Sequence, residues 1–191
     1  MRKTIATVAL ALSVALSTAA CGSGDENVLP EAGSTPSASP SASATPSWSA
    51  TAKPERPQDE RSPEGAEAFT RFAADTVLYM MATGDAPALT AISDLATCAT
   101  CKLWADNHDS GKIVKLMIGT GAPTYTTVGR PTVTDDVFYN VKLAMDIPPG
   151  KSVRRDNKTK PEKVKAARDL PFVADLQWKD DKWLLMRFDM G

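Results

Sequence analysis

All but two of the twenty residues at 33–52 are Ser, Ala, Thr or Pro. Such a run has too few large apolar side chains to offset the entropy of ordering its backbone, so it predicts a disordered tether and not a core. The charged stretch "KPERPQDER" that follows carries the expectation to about residue 61. Folding is thereby confined to residues 62–191, which suffice for one modest hydrophobic core and are too few for two domains. Trp48 stands alone in the tether and reads as an unstructured indole rather than an anchor.

The residues ahead of the tether set the compartment. Arg2 and Lys3 precede an apolar run from about Ile5 to Leu16 and a small-residue ending, "STAAC". That order is a secretory signal over residues 1–20, and the apolar run is too short to cross a bilayer. The ending resembles the lipobox of bacterial lipoproteins, which implies that Cys21 becomes a diacylglyceryl-modified N-terminus. Two acyl chains anchor stably, because each buried methylene adds about 0.8 kcal/mol and one chain alone is marginal. The expectation is a lipid-anchored protein on the extracytoplasmic face of the cell membrane, with residues 21–61 as its lipidated tether. Without Arg2 and Lys3 the chain carries 20 basic and 23 acidic residues. A mildly acidic exported protein is a poor partner for nucleic acid.

Local signals in 62–191 divide into helices and then strands. Ser62 is placed as an N-cap with Pro63 at the first helical position, and Phe69, Phe72, Ala73, Val77, Met80 and Met81 form a helical stripe that Gly84 ends. Asp85 is placed to cap a second helix with Leu89, Ile92 and Leu95 on its buried face. A third is expected over residues 102–112, ended by Gly111. After it, Val137, Tyr139, Val141, Leu143, Met145 and Ile147 alternate with polar residues as in a half-buried antiparallel strand. "FVADLQW" and "WLLMRFDM" are joined by "KDDK", a hairpin that sets Trp178 against Trp183. Weaker strand signals lie at 113–118 and 125–134. This is an α+β order, three helices followed by a curved antiparallel sheet.

The stretch "YMMATGDAPALTAISDLATCATCKLW" resembles an uncharacterised family of actinobacterial lipoproteins: a long helix ends in Thr-Gly-Asp, a short helix follows, and a C-x-x-C opens the third. That family is similar in turn to the nuclear transport factor 2-like (SnoaL-like, cystatin-like) superfold. The resemblance implies a sheet curled around three helices into a cone with an apolar pocket, and no particular activity. On that fold Phe72 and Tyr79 of the first helix, with Tyr139, Val141 and Leu143 of the long strand, are the candidate pocket lining.

With Cys21 modified, Cys98 and Cys101 are the remaining pair of thiols, and in an oxidising compartment they read first as a disulfide at the elbow between the second and third helices. A thioredoxin-type pair needs a strand before the motif, where this chain has a helix. A zinc site needs four ligands, and the chain has no second cysteine pair and one histidine. No metal or other cofactor is therefore expected.

Catalytic signals are sparse. His108 lies beside Asp106 and Asp109, but all three fall within four residues of one short polar helix, which reads as a solvated face. Asp75 and Tyr125 are further polar residues within reach of a pocket. Residues 150–169 carry eight Lys or Arg against three acids and read as a long solvated hairpin loop, or as a basic arm for anionic headgroups or wall polymers. In the last strand Leu184, Met186, Phe188 and Met190 form the longer apolar row and are assigned to the core. That choice puts Phe172, Leu176, Trp178 and Trp183 on the outer face, where they would serve a homodimer or an envelope protein or polymer partner. The expected function is a non-enzymatic ligand- or partner-binding module, with a pocket enzyme of the isomerase or dehydratase type as the alternative.

Overall fold

The computed structural model describes residues 49–112, 115–156 and 158–191. The signal segment, Cys21 and the tether as far as Trp48 lie outside the described residues. From Ser49 on, the chain is an α+β structure with two antiparallel sheets.

Helix α1, Pro63–Thr83, starts where the Ser62 hydroxyl accepts from the Gly65 N–H at 3.0 Å, and it stops at Gly84, whose φ of 80° is left-handed. Its buried stripe includes Phe69, Ala73, Val77 and Met80. The second helix is shorter than its apolar spacing suggests. Helix α2 spans only Ala86–Thr90, and the Asp85 carboxylate accepts from the Tyr79 hydroxyl at 3.1 Å instead of capping it. Beyond it the chain straightens and bonds to the last strand: the Asp94 N–H donates to Leu185 O and the Leu185 N–H to Ile92 O. Leu95, expected on a buried helical face, is consequently exposed. Helix α3, Ala99–Asp109, opens on Cys98 and Cys101, which form a disulfide with Cα atoms 5.2 Å apart. Both cysteines are fully buried.

The main sheet has the order β2 (Thr124–Thr127), β4 (Phe138–Ile147), β7 (Ala167–Lys179), β8 (Lys182–Met190), with β3 (Thr132–Thr134) also paired to β4. Its two hairpin turns are both Asp-Asp. Asp135 and Asp136, and Asp180 and Asp181, all have φ between 51° and 57°; the β7–β8 loop is the two residues between Lys179 and Lys182, of the kind that matches strand twist, and the β3–β4 loop adds Val137 before Phe138. The smaller sheet has the order β1 (Lys115–Gly119), β5 (Gly150–Arg154), β6 (Glu162–Val164). The segment expected as one solvated hairpin loop thus holds two strands and the start of β7. A cross-strand partner was available in Lys115–Gly119, which pairs with β5 through every residue.

The last strand corrects the expected outer face. Trp183 and Leu185 are fully buried and Phe188 is nearly so, while Leu184 and Met186 are only partly covered. A bulge explains the mixed phase. Arg187 pairs with Asp175 and Leu185 with Leu176, so Met186 is left without a partner and the inward positions shift from odd to even numbers. Phe172 and Leu176 are also fully buried, and Trp178 packs against them. Three of the four residues assigned to an interface, Phe172, Leu176 and Trp183, are core residues, and Trp178 is half-buried against that core; the Trp183 ring stands 4.8 Å from Tyr139 and 5.0 Å from Trp178, edge-on to both.

What covers Trp183 is the end of the expected tether. Residues 56–60 lie along the outer edge of β8 at Trp183, next to the stretch of that edge taken by Ile92 and Asp94, as a strap. The Asp59 carboxylate accepts from the Trp183 N–H at 3.0 Å, Arg56 donates to Trp183 O at 2.7 Å, and the indole N–H donates to Glu60 O at 2.9 Å. Arg56 is also paired with Asp59 at 2.8 Å and lies 4.8 Å over the Phe69 ring. The ordered part therefore begins before residue 62. Composition hid this, because the contacts that hold the strap are hydrogen bonds, an ion pair and a guanidinium over an aromatic ring, none of which an apolar pattern announces.

Candidate functional site

The residues expected to line a pocket are not brought together. Tyr139, Val141 and Leu143 are buried in one continuous cluster with Phe69, Val77, Met80 and Trp183, so the row they form is filled core. Phe72 and Tyr79 lie on the other side of α1. There they face a groove of about 500 Å³ between the helix and residues 49–57.

An apolar cleft lies elsewhere, between the C-terminal half of α1 and the two sheets. It has a volume of about 210 Å³ and is lined by Leu78 and Met81 of α1, Met117 of β1, Ile147 at the end of β4, Leu170 of β7 and Met190 of β8. Lys151 and Lys165 also line it. Gly150 lets β5 lie close against β1 at the cleft wall: a Cβ there would meet the Ile118 carbonyl and lie 3.2 Å from the Gly119 Cα. Between Met145, opposite Leu170, and Ile147, opposite Ala167, the extra residue lies in β7, so Ile147 keeps the phase of the core row, packs partly buried against the core cluster and lines this cleft at its edge. The long alternating strand therefore contributes core at one end and cleft at the other. Sequence spacing alone signals neither the shift nor the second sheet.

Three polar features remain to be placed. The Tyr125 hydroxyl donates to Asp75 at 2.5 Å across the seam between α1 and β2. Burial pushes the Asp75 carboxyl up against the opposing effect of that hydrogen bond, and burial together with the neighbouring carboxylate raises the Tyr125 phenol strongly. Asp75 borders the groove, and neither residue lines the apolar cleft. Ser152 is on the cleft side of the small sheet, in register with Met117, and its buried hydroxyl has no hydrogen-bond partner.

The third feature is His108, which is not on a solvated face: it is 1% exposed. Arg155 donates to His108 O at 3.0 Å and meets Nδ1 at 2.9 Å. Since a guanidinium only donates, Nδ1 is the acceptor and the ring is neutral. Burial first, and then the Arg155 charge, lowers its pKa. Asp106 turns outward to Lys102 at 2.6 Å, Asp109 acts on the imidazole only through its charge, and among the described residues no carboxylate is hydrogen-bonded to the ring. The arrangement fastens the C-terminal end of α3 to the turn after β5. It offers no acid–base couple to a substrate.

Among the described residues no group of three or more His, Cys, Asp or Glu side chains is arranged to hold a metal ion. No described helix is long and apolar enough to cross a membrane.

Among solved structures, the chain is similar to the intermembrane space region of the chloroplast protein ARC6, at 12% identity over 68% of this chain and 95% of that one, with a TM-score of 0.46. It is also similar to a chain named Rd1NTF2_05 carrying five substitutions, at 15% identity over 66% of this chain and 99% of that one, with a TM-score of 0.36. No curated protein matches. A family model described as a family of unknown function, DUF6318, matches residues 41–189.

Proposed function

Because the chain belongs to this family of unknown function, membership brings no activity with it, and we propose from the cleft that the folded part is a non-enzymatic module that binds a small apolar ligand. The observation that carries this reading is the cleft's composition: its lining of about 210 Å³ is mostly aliphatic and thioether, with Leu78, Met81, Met117, Ile147, Leu170 and Met190 among it, and no carboxylate, imidazole or tyrosine lines it. Ligand sites are commonly concave, mostly apolar and sparing in polar groups. In this reading the domain is a nuclear transport factor 2-like cone whose interior has filled with core, leaving its opening as the binding cleft. It is exported and held on the extracytoplasmic face of the membrane by a lipidated Cys21.

The rival, a pocket enzyme of the isomerase or dehydratase type, has the Asp75–Tyr125 pair as its best support, but that pair borders the groove and not the cleft.

Mass spectrometry of the protein purified from its native membrane tests the binding reading. A co-purifying apolar molecule is expected, and Leu78→Trp, which adds bulk to the cleft wall, should release it. A cleft found empty in the native protein, with no molecule retained by the wild type that this variant loses, refutes the reading. The anchor is tested separately: Cys21→Ala should move the protein from the membrane to the medium.

A further inference from the structure

Sulfur is concentrated at the apolar cleft. Of the seven methionines in the chain, all but Met1 lie among the described residues. Three of these come from three separate elements to line the one cleft: Met81 of α1, Met117 of β1 and Met190 of β8. Exposure separates them from the methionines of the core. Met80 and Met145 are fully buried, whereas Met81, Met117 and Met190 are half-buried. Met186 is half-buried as well, but it stands apart at the β8 bulge and does not line the cleft.

A thioether is apolar and adaptable in shape, which suits it to the wall of a ligand site, and it is the side chain of this lining that peroxide converts most readily. The sulfur lone pair attacks the peroxide, the O–O bond breaks, one oxygen passes to sulfur and the other leaves as water; the thioether loses two electrons and the peroxide gains them. The sulfoxide is polar, and its oxygen is an acceptor. Leu78, Ile147 and Leu170, which share the lining, offer that oxygen no donor. It therefore holds water, and an apolar ligand enters only by stripping that water away. Granted the cleft as the ligand site, we propose that Met81, Met117 and Met190 are sites of reversible sulfoxidation by peroxide and that their oxidation closes the cleft to apolar ligands. A methionine sulfoxide reductase reverses the change, two thiols becoming a disulfide as the oxygen leaves in water.

The test uses the whole chain carrying Cys21→Ala, which lacks the acyl acceptor, exposed to hydrogen peroxide and titrated with the fluorescent apolar probe N-phenyl-1-naphthylamine. Peptide mass mapping along the time course should find sulfoxide at Met81, Met117 and Met190 before Met80 or Met145. Probe affinity should fall by about tenfold or more as those three react, the scale of a polar group left unpaired. It should return on incubation with a sulfoxide reductase and dithiothreitol, with untreated protein in dithiothreitol as the control. The variant Met81→Leu, Met117→Leu, Met190→Leu retains Met186 and is compared only with itself: peroxide should leave whatever affinity it starts with. If that variant binds no probe, the reductase arm decides alone. Oxidation of the core methionines as early as the cleft three, affinity within about twofold of its starting value after all three have reacted, or an equal loss in the triple variant overturns the inference and leaves the apolar site in place. Loss of the folding transition on oxidation also overturns it, since the effect is then damage to the core. Probe uptake that Leu78→Trp does not weaken, or none at all in untreated protein, removes the site proposed above and the inference with it.

Discussion

Replacing Asp59 by Ala removes the centre of the strap, and the structure sets the size of the effect. The carboxylate accepts from the Trp183 N–H at 3.0 Å and from two Arg56 nitrogens at 2.8 and 2.9 Å. A buried N–H left without a partner costs about 1–3 kcal/mol. The Arg56 pair is partly exposed, and a pair of that kind adds between about 0 and 1 kcal/mol. Asp59→Ala should therefore destabilise the domain by about 2–3 kcal/mol, or about 10 °C at roughly 4 °C per kcal/mol for a domain of this size. Urea denaturation followed by tryptophan fluorescence measures it, with an unchanged m-value showing that the folded state keeps its extent. Asp59→Asn retains an acceptor for the Trp183 N–H and should recover most of the loss. Acid provides a second check. Burial raises the Asp59 carboxyl, but hydrogen bonds from Arg56 and the Trp183 N–H outweigh it, so its folded pKa lies below the unfolded value of 3.8. The carboxylate's contribution is fully present above pH 3.8 and disappears as pH falls through the folded value, where wild type and Asp59→Ala should converge. If Asp59→Ala lies within 0.5 kcal/mol of wild type at pH 7, a scale set by ordinary surface substitutions, the strap is not part of the folded domain.

Two further outcomes follow from buried polar groups. Because the folded pKa of His108 is depressed, the unfolded chain takes up the proton first as pH drops below about 6.5. Stability should fall from there by up to about 1.4 kcal/mol per pH unit; the slope should be absent in His108→Gln, and its persistence there would show that the histidine, the only one in the chain, is not its source. Ser152→Ala removes an orphaned hydroxyl and should raise the melting temperature by a few degrees; a fall would mean that the hydroxyl has a partner in solution.

The strength of local signals decided which parts of this fold were readable. Ser62, Pro63 and Gly84 act within one turn of α1, and their chemistry survives any tertiary context. The hairpin between Trp178 and Trp183 is equally local, since two adjacent aspartates suffice to turn the chain. The misreadings came where a distant contact overrides the pattern. Period-2 reading of "WLLMRFDM" cannot see a bulge that is defined by the partner strand at Asp175 and Leu176. Helical spacing at Leu89, Ile92 and Leu95 cannot reveal that Ile92 and Asp94 bond to Leu185. The cleft was illegible for the same reason: it exists because β1, β5 and β6 form a separate sheet, and two of those strands lie in a segment whose charge made it look like solvent-exposed loop.

The strap also determines how the domain meets a mechanical load. A pull on the chain ahead of Ser49 is not delivered to α1; it arrives first at the Arg56–Asp59 clamp on the edge of β8. Contacts across that edge are few and would yield one after another, as in peeling, whereas β7 and β8 are paired along most of their length. The strap is therefore a latch in series with the fold. Its release would uncover the Trp183 indole while α1 and the main sheet stayed whole, so tension on the N-terminal segment would be reported by one tryptophan before any strand is lost.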